Sequence, residues 1–406
     1  MCCRFLIYCC LFFTSSTLAT ALEYSVQYQM TVDIKQQGLN VQIIIDKGEL
    51  INSLRFSNKD QHFKNIKATG KLVDTNQSIQ WFPGKGKAVL SYFVSVSHAK
   101  GDTQFDAYAT PTWFLLRGDD VIPAFFSDFV DGAESRATLL FKLPKGWTSQ
   151  TAWPKSKNKK FYVIDNPERK FDRPYGWILL GDIANRQSKV SGTSIVVAAP
   201  KNSGMQRMEV VTFFSFVWPQ VKKTFGEVPE KLLIVGAPDP MWRGGLSAPN
   251  SLYLHVDRPL VSENGTSPLF HEITHMITRI RGQVTEKNND DWIAEGLAEY
   301  YSFELLHKAG GISKSRKKKI LQKLANWGKD VKHLRQSKST GPVTAKAVVL
   351  LAELDEEIQQ KSQNKYDLGD VTKVLMKKRE VSLDDLHQTV EALIGTSKTL
   401  QNAALK

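Results

Sequence analysis

Cysteine is almost missing from this chain of 406 residues, and the four that occur, Cys2, Cys3, Cys9 and Cys10, all fall in its first ten positions. Beyond them there is no thiol, which excludes disulfides, cysteine nucleophiles and thiolate metal sites from the remaining chain. A metal bound there must be held by His, Asp or Glu. Uninterrupted apolar stretches of ~20 residues are also lacking, so no membrane-spanning helix is expected. Histidine is scarce, with eight in the chain, so two at close spacing carry weight. Acidic residues are outnumbered, 41 against 54 Lys and Arg, for a net charge of +13. Such an excess can favour weak association with an anionic envelope. The densest basic cluster, Lys314 with Arg316, Lys317, Lys318 and Lys319, has no interleaved aromatics and no groove-reading motif. It reads as the solvated start of a helix, and no nucleic-acid partner is expected.

The first 21 residues read as a signal peptide. Arg4 supplies a positive start, residues 5–13 form a short apolar run, and Ala19-Thr20-Ala21 is a small-x-small cleavage pattern. Cleavage after Ala21 and export to a periplasmic or secreted location are expected. In a eukaryotic secretory pathway, Asn76-Gln-Ser and Asn264-Gly-Thr would be glycosylation patterns.

Residues 22–190 read as strands. Segments 41–45, 88–96, 137–143 and 160–164 are β-branched or aromatic, and turn residues such as Pro83-Gly84 and Pro144-Lys145-Gly146 separate them. An antiparallel β-sandwich is expected here. From 191 to 406 the chain reads as an α+β domain, with strands at 194–199, 231–236 and 251–256, a helix around 208–225, and helical periodicity from about 267.

The stretch 267–282 contains His271-Glu272-x-x-His275. Ser267 suits an N-cap, Pro268 the first helical position and Gly282 the far end. At ~100° per residue His271 and His275 share one stripe, while Leu269, Phe270, Ile273, Met276, Ile277 and Ile280 form the packing face. Two histidines at i and i+4 can donate to one Zn²⁺ without bending the helix. Glu272 then sits beside the metal without ligating it, where it can take a proton from water. A catalytic zinc needs a third protein ligand and an open position. Glu295, in a second helix that Asp290 or Asp291 can cap and that Gly310-Gly311 can end, supplies it. Glu299, one turn later, is placed to accept the free N–H of a ligand histidine. One Zn²⁺ per chain follows.

His271-Glu272-x-x-His275 followed by Trp292-Ile-Ala-Glu295-Gly296-Leu-Ala-Glu299-Tyr300-Tyr301 resembles the gluzincin metallopeptidases, which share a thermolysin-like catalytic domain, and within them the glycyl-aminopeptidase family. Trp81-Phe-Pro-Gly84, Asp106-Ala-Tyr108, Arg117-Gly118-Asp119 and Leu143-Pro-Lys-Gly-Trp147 are similar to the family's N-terminal β-domain. The likeness covers nearly all of the chain after the signal. It implies a β-sandwich followed by a thermolysin-like domain with a helical C-terminal part, an exported zinc peptidase, possibly an aminopeptidase, and a peptide or protein substrate. It also implies that Gly244 and Gly245 begin a substrate-binding edge strand. Two departures stand out. Thr344 occupies the position where the family commonly has an oxyanion-stabilising tyrosine, leaving Tyr300, Tyr301, Tyr366 or His255 as substitutes. Residues 244–250 contain no acidic residue to receive a substrate amine. The alternative is a zinc-containing peptide-binding or envelope scaffold protein with weakened catalysis.

Overall fold

The computed structural model describes residues 22–75, 77–158, 160–165, 171–336 and 338–406. The expected signal segment 1–21 and Asn76 lie outside the described residues.

Three sheets form from the strand-rich part. A six-stranded sheet runs in the order Tyr162–Ile164, Ala133–Lys142, Leu22–Asp33, Gly38–Ile45, Ala88–Ser95, Phe63–Ala68. Its first strand shows why it forms: Tyr24, Val26, Tyr28 and Met30 are all buried on one face, and the residues between them are more exposed. Leu22–Asp33 pairs antiparallel with Gly38–Ile45 but parallel with Ala133–Lys142, Leu22 opposite Ala133. The sheet is therefore mixed, which corrects the antiparallel expectation. Parallel pairing needs a long crossover; here the chain builds most of the other two sheets before returning to its first strand.

One of those sheets is buried on both faces at its strands Trp113–Arg117 and Trp177–Gly181. It runs Thr148–Thr151, Trp177–Gly181, Trp113–Arg117, Phe105–Ala109, His98–Ala99. Phe114, Leu116, Ile178 and Leu180 join the core of the strand-rich part. The alternate residues Trp113, Leu115, Trp177 and Leu179 pack instead against Val196, Ala198, Leu233, Val235 and Tyr253. Continuous apolar sequences such as Trp-Phe-Leu-Leu and Trp-Ile-Leu-Leu suit a strand with no solvent face. The third sheet holds Phe126–Phe129, Ile51–Ser57, Ser78–Phe82 and Lys71–Asp74.

The residues packed against that shared face belong to a further sheet, ordered Ile183–Val190, Thr193–Pro200, Lys231–Ala237, Ser251–His255, Gly245–Ala248. Its three middle strands are parallel, and helix Arg207–Phe225 crosses between the first two of them. Ile183–Val190 is paired along its length with Thr193–Pro200, so this sheet starts ahead of the change in character near residue 190. Gly245–Ala248 is the outer strand, paired among the described residues with Ser251–His255 alone.

Helices follow at Pro268–Thr278, Asp291–Lys308, Lys314–Gly328, Pro342–Lys361, Leu368–Lys378 and Leu383–Ile394. They share one core with helix Arg207–Phe225, centred on Trp218, Phe270, Trp292, Tyr300, Tyr301 and Leu351. None of the described helices is long and apolar enough to cross a membrane.

Candidate metal centre

Helix Pro268–Thr278 starts as its sequence indicates. The Ser267 side chain accepts the Phe270 N–H, and Pro268 occupies the first turn. The far end differs from expectation. Arg279 adopts the left-handed conformation (φ 51°) that stops the helix, and Gly282 lies beyond it in a short strand paired with Glu380–Val381. Glycine is needed at 282 for another reason: a Cβ there would fall 2.1 Å from the Asp291 backbone nitrogen.

Helix Asp291–Lys308 is N-capped by Asp290, whose side chain makes no cap hydrogen bond. Instead the buried Asp290 carboxylate receives Arg335 on both oxygens, at 2.6 and 2.9 Å, and the Leu383 N–H at 3.0 Å. That clamp ties the helix start to two later segments.

The two helices are antiparallel neighbours, with His271 opposite Glu299 and His275 opposite Glu295. The Nε2 atoms of His271 and His275 are 3.2 Å apart. Glu295 places one carboxylate oxygen 3.5 Å from His271 Nε2 and the other 3.3 Å from His275 Nε2. Ligands held 2.0–2.1 Å from a tetrahedral zinc stand roughly 3.3 Å from one another. The three side chains thus outline one face of such a tetrahedron, and the two-imidazole, one-carboxylate donor set suits Zn²⁺. Glu299 Oε2 lies 3.0 Å from His271 Nδ1, which fixes that ring with Nε2 turned inward.

The electrostatics match a cation site. Burial alone would lower the His271 imidazole, but hydrogen bonds to Glu295 and Glu299 raise it to about 10. Burial alone would raise the Glu295 carboxyl, and the two imidazoles pull it down to about 2. His271 therefore holds a proton in the absence of a metal, and a proton and a metal compete for it.

Glu272, next to His271 in the helix, reaches the edge strand. Its Oε2 accepts the Ser247 N–H at 2.9 Å, and a Cβ on Gly245 would lie 3.1 Å from its Cγ. Gly244 is covered by the Trp242 ring, 2.3 Å from where a Cβ would sit. Sequence reasoning did not find the Ser247 contact, because a backbone donor leaves no trace in residue type.

Several expected oxyanion or substrate contacts lie elsewhere. Tyr300 and Tyr301 are fully buried; the first donates its hydroxyl to Asp355 at 2.6 Å and the second pairs with Thr372 at 3.0 Å. One and two residues past Glu299, they are rotated ~100° and ~200° from it around the helix. Tyr366 lines a separate polar cavity with Glu304, Lys308 and Asp355. His255 is buried; its Nδ1 accepts the Asp257 N–H at 3.2 Å, and its Nε2 lies 3.3 Å from Asp239. Asp239 is also paired with Arg243, in the turn leading into the edge strand. Thr344 shares a hydroxyl contact of 3.2 Å with Ser339.

No family model matches the chain, and no curated protein matches it in sequence. Solved structures do. An aminopeptidase N family protein from Idiomarina loihiensis superposes with a TM-score of 0.69 at 16% identity, covering 94% of this chain and 76% of that one. A two-domain M1 zinc metallopeptidase variant bound to L-tryptophan gives 0.55 at 13% identity, covering 95% and 94%. Aminopeptidase A of Legionella pneumophila in complex with aspartic acid gives 0.56 at 13% identity, covering 95% of this chain and 50% of that one. The chain has the multidomain fold of the M1 zinc metallopeptidases and aminopeptidase N family proteins.

Proposed function

We propose that the protein is a zinc-dependent peptidase with a β-sandwich unit and a thermolysin-like catalytic unit. The observation that carries this reading is the near-tetrahedral spacing of His271 Nε2, His275 Nε2 and Glu295, at 3.2, 3.5 and 3.3 Å. The fold shared with zinc metallopeptidases supports it. One zinc held there would supply Lewis-acid polarisation of a peptide carbonyl. Glu272 is the general base: it takes a proton from the attacking water and returns it to the leaving amine. Glu299 keeps His271 in its ligating tautomer. The outer strand Gly245–Ala248 gives its Ser247 N–H to Glu272, and its place at the end of the sheet suits it to receive an extended peptide as an added strand.

The test is digestion of a diverse peptide library by the purified protein, with and without chelator, with metal content measured on the same sample. Chelator-sensitive products and one zinc per chain are expected. Glu272→Gln should keep the zinc and lose ~10²–10⁴-fold in rate; cleavage by that variant at the wild-type rate would sink the mechanism.

A second reading, a peptide-binding protein with weakened catalysis, is favoured by one observation. Tyr300, Tyr301 and Tyr366 are turned away from the ligand trio, and Thr344 is engaged with Ser339. The intact Glu272 argues for turnover. Export rests on the apolar segment and cleavage pattern of residues 1–21, and weak association with an anionic envelope on the net charge of +13.

A further inference from the structure

Among the described residues a second group of three side chains brings one ligand atom each to within 4.8 Å of the others: Asp239, His255 and Asp257. None of them belongs to the trio on the two helices. They come from the loop after strand Lys231–Ala237, from the last residue of strand Ser251–His255, and from two residues beyond it. Loop and strand end are held side by side. Ala237 is opposite His255 in the parallel pairing, and the Val256 N–H bonds back to the Ala237 carbonyl at 3.3 Å.

His255 is the unusual member. It is 1% exposed, and its Nε2 is shut off from water yet makes no hydrogen bond. A buried polar atom in that state is costly, and a bound ion would supply its partner. Nε2 stands 3.3 Å from Asp239 Oδ1, about the separation of two ligands on one zinc-sized ion. The ring is held in place from behind, since the His255 N–H donates to the Gly244 carbonyl at 3.0 Å. The two carboxylates, by contrast, reach solvent, with their side chains 54% and 67% exposed. Among the described residues one Arg or Lys meets them: Arg243 pairs with Asp239 and has its guanidinium 4.0 Å from Asp257. Two carboxylates and one guanidinium leave the group one positive charge short. An ion pair this exposed is weak, so Arg243 fills the place of a cation without barring another.

We infer that Asp239, His255 and Asp257 form a second divalent-metal site, weaker than the helix trio, whose ion takes the place of Arg243. One imidazole with two carboxylates and water suits a first-row ion such as Mn²⁺ or Zn²⁺. Coordination through Nε2 puts the ring proton on Nδ1. The 3.2 Å contact of Nδ1 with the Asp257 N–H is then given up as Asp257 turns to the ion. The displaced Arg243 is the residue before Gly244, so the ion bears on the start of the edge strand. Because two ligands face water and a guanidinium competes, the site fills only when metal is supplied. A purified sample should still carry the one zinc of the trio.

The test is titration of Mn²⁺ into the full chain after it has been offered one equivalent of zinc, followed through loss of the free-ion EPR signal. One Mn²⁺ per chain should bind, with imidazole-nitrogen modulation in the electron spin echo. Asp239→Asn and Asp257→Asn should each weaken that binding about 10-fold or more, with zinc content and melting temperature unchanged. Arg243→Gln should strengthen it by up to about 5-fold, the weight of an exposed ion pair. No Mn²⁺ bound at about 1 mM free ion would overturn the inference. So would binding that neither carboxylate change affects, an echo without nitrogen modulation, or weaker binding in Arg243→Gln. If one carboxylate variant fails to fold, the other decides. Zinc is measured on the same samples: failure here with zinc retained leaves the peptidase reading standing, and Mn²⁺ bound in this way by a chain that takes no zinc would defeat that reading alone.

Discussion

Gly245 stands against Glu272: a Cβ on the glycine would lie 3.1 Å from Glu272 Cγ and 3.8 Å from its Cδ. The first distance is tighter than relaxed packing, so a side chain at 245 must push the carboxylate of the proposed base. Gly245 lies outside the left-handed region, so alanine there brings no backbone strain. Gly245→Ala should therefore lower kcat by about 10-fold through misplacement of Glu272, with zinc content and stability unchanged. Steady-state kinetics beside metal analysis checks this; an unchanged kcat would mean that Glu272 accommodates the methyl freely.

Glu299 would act on a bound zinc through His271. Its Oε2 is 3.0 Å from Nδ1, and the partners that orient ligating histidines typically account for about 10- to 100-fold in metal affinity. Glu299→Gln should lose affinity on that scale in a competition titration against a chromophoric chelator. The melting temperature of the metal-free protein should change little. Undiminished affinity would show that ring orientation is fixed by packing alone.

Asp290 joins three segments. Its carboxylate is 2% exposed and binds Arg335 on both oxygens and the Leu383 N–H. Asp290→Ala leaves the partly buried Arg335 guanidinium without its partner, a change that costs ~3–5 kcal/mol for a buried pair. Denaturant unfolding should register a loss of that order. Arg335→Met with Asp290→Leu should recover part of it; a loss below ~1 kcal/mol for Asp290→Ala would make the pair equivalent to a surface ion pair.

Lys231 gives a pH dependence of defined sign. Burial, with a smaller contribution from Lys155, lowers its ammonium to about 8, while the unfolded chain titrates near ~10.4. Between these values the unfolded state holds a proton that the folded state has released, so this group's contribution to stability rises with pH across that window. Below about 8 the cost of burying the charge is present in full. Lys231→Met should accordingly gain stability relative to wild type at pH 7, and the difference should shrink towards pH 10. Melting curves of both proteins at the two pH values provide the check; a difference independent of pH would show that the ammonium is hydrated in the folded state.

The helix pair was legible because its information is local. His271 and His275 share a stripe by helical periodicity, and Glu295 and Glu299 share another; the structure brings the two stripes together. Tyr300 and Tyr301 were misread because adjacency in sequence to Glu299 is divergence around a helix. The parallel pairing of Leu22–Asp33 with Ala133–Lys142 was not legible. A strand's residues report which faces are buried, and nothing in them reports the direction of a partner more than a hundred residues away. The Arg279 helix stop escaped for a different reason, since left-handed backbone usually falls to glycine or asparagine.

The strands Trp113–Arg117 and Trp177–Gly181 send alternate side chains into two different cores. They act as a party wall between the strand-rich part and the sheet that leads into the metal helices. A cut after Gly181 would leave Val196, Ala198, Leu233, Val235 and Tyr253 facing water as a continuous greasy surface. Neither half is then a candidate for separate expression or free swapping between relatives. A substitution in the wall, such as one at Leu179 or Leu180, is felt on one side or the other according to parity alone. Heat that loosens the strand-rich part uncovers that face of the sheet as well, so the unfolding of the two parts should be coupled.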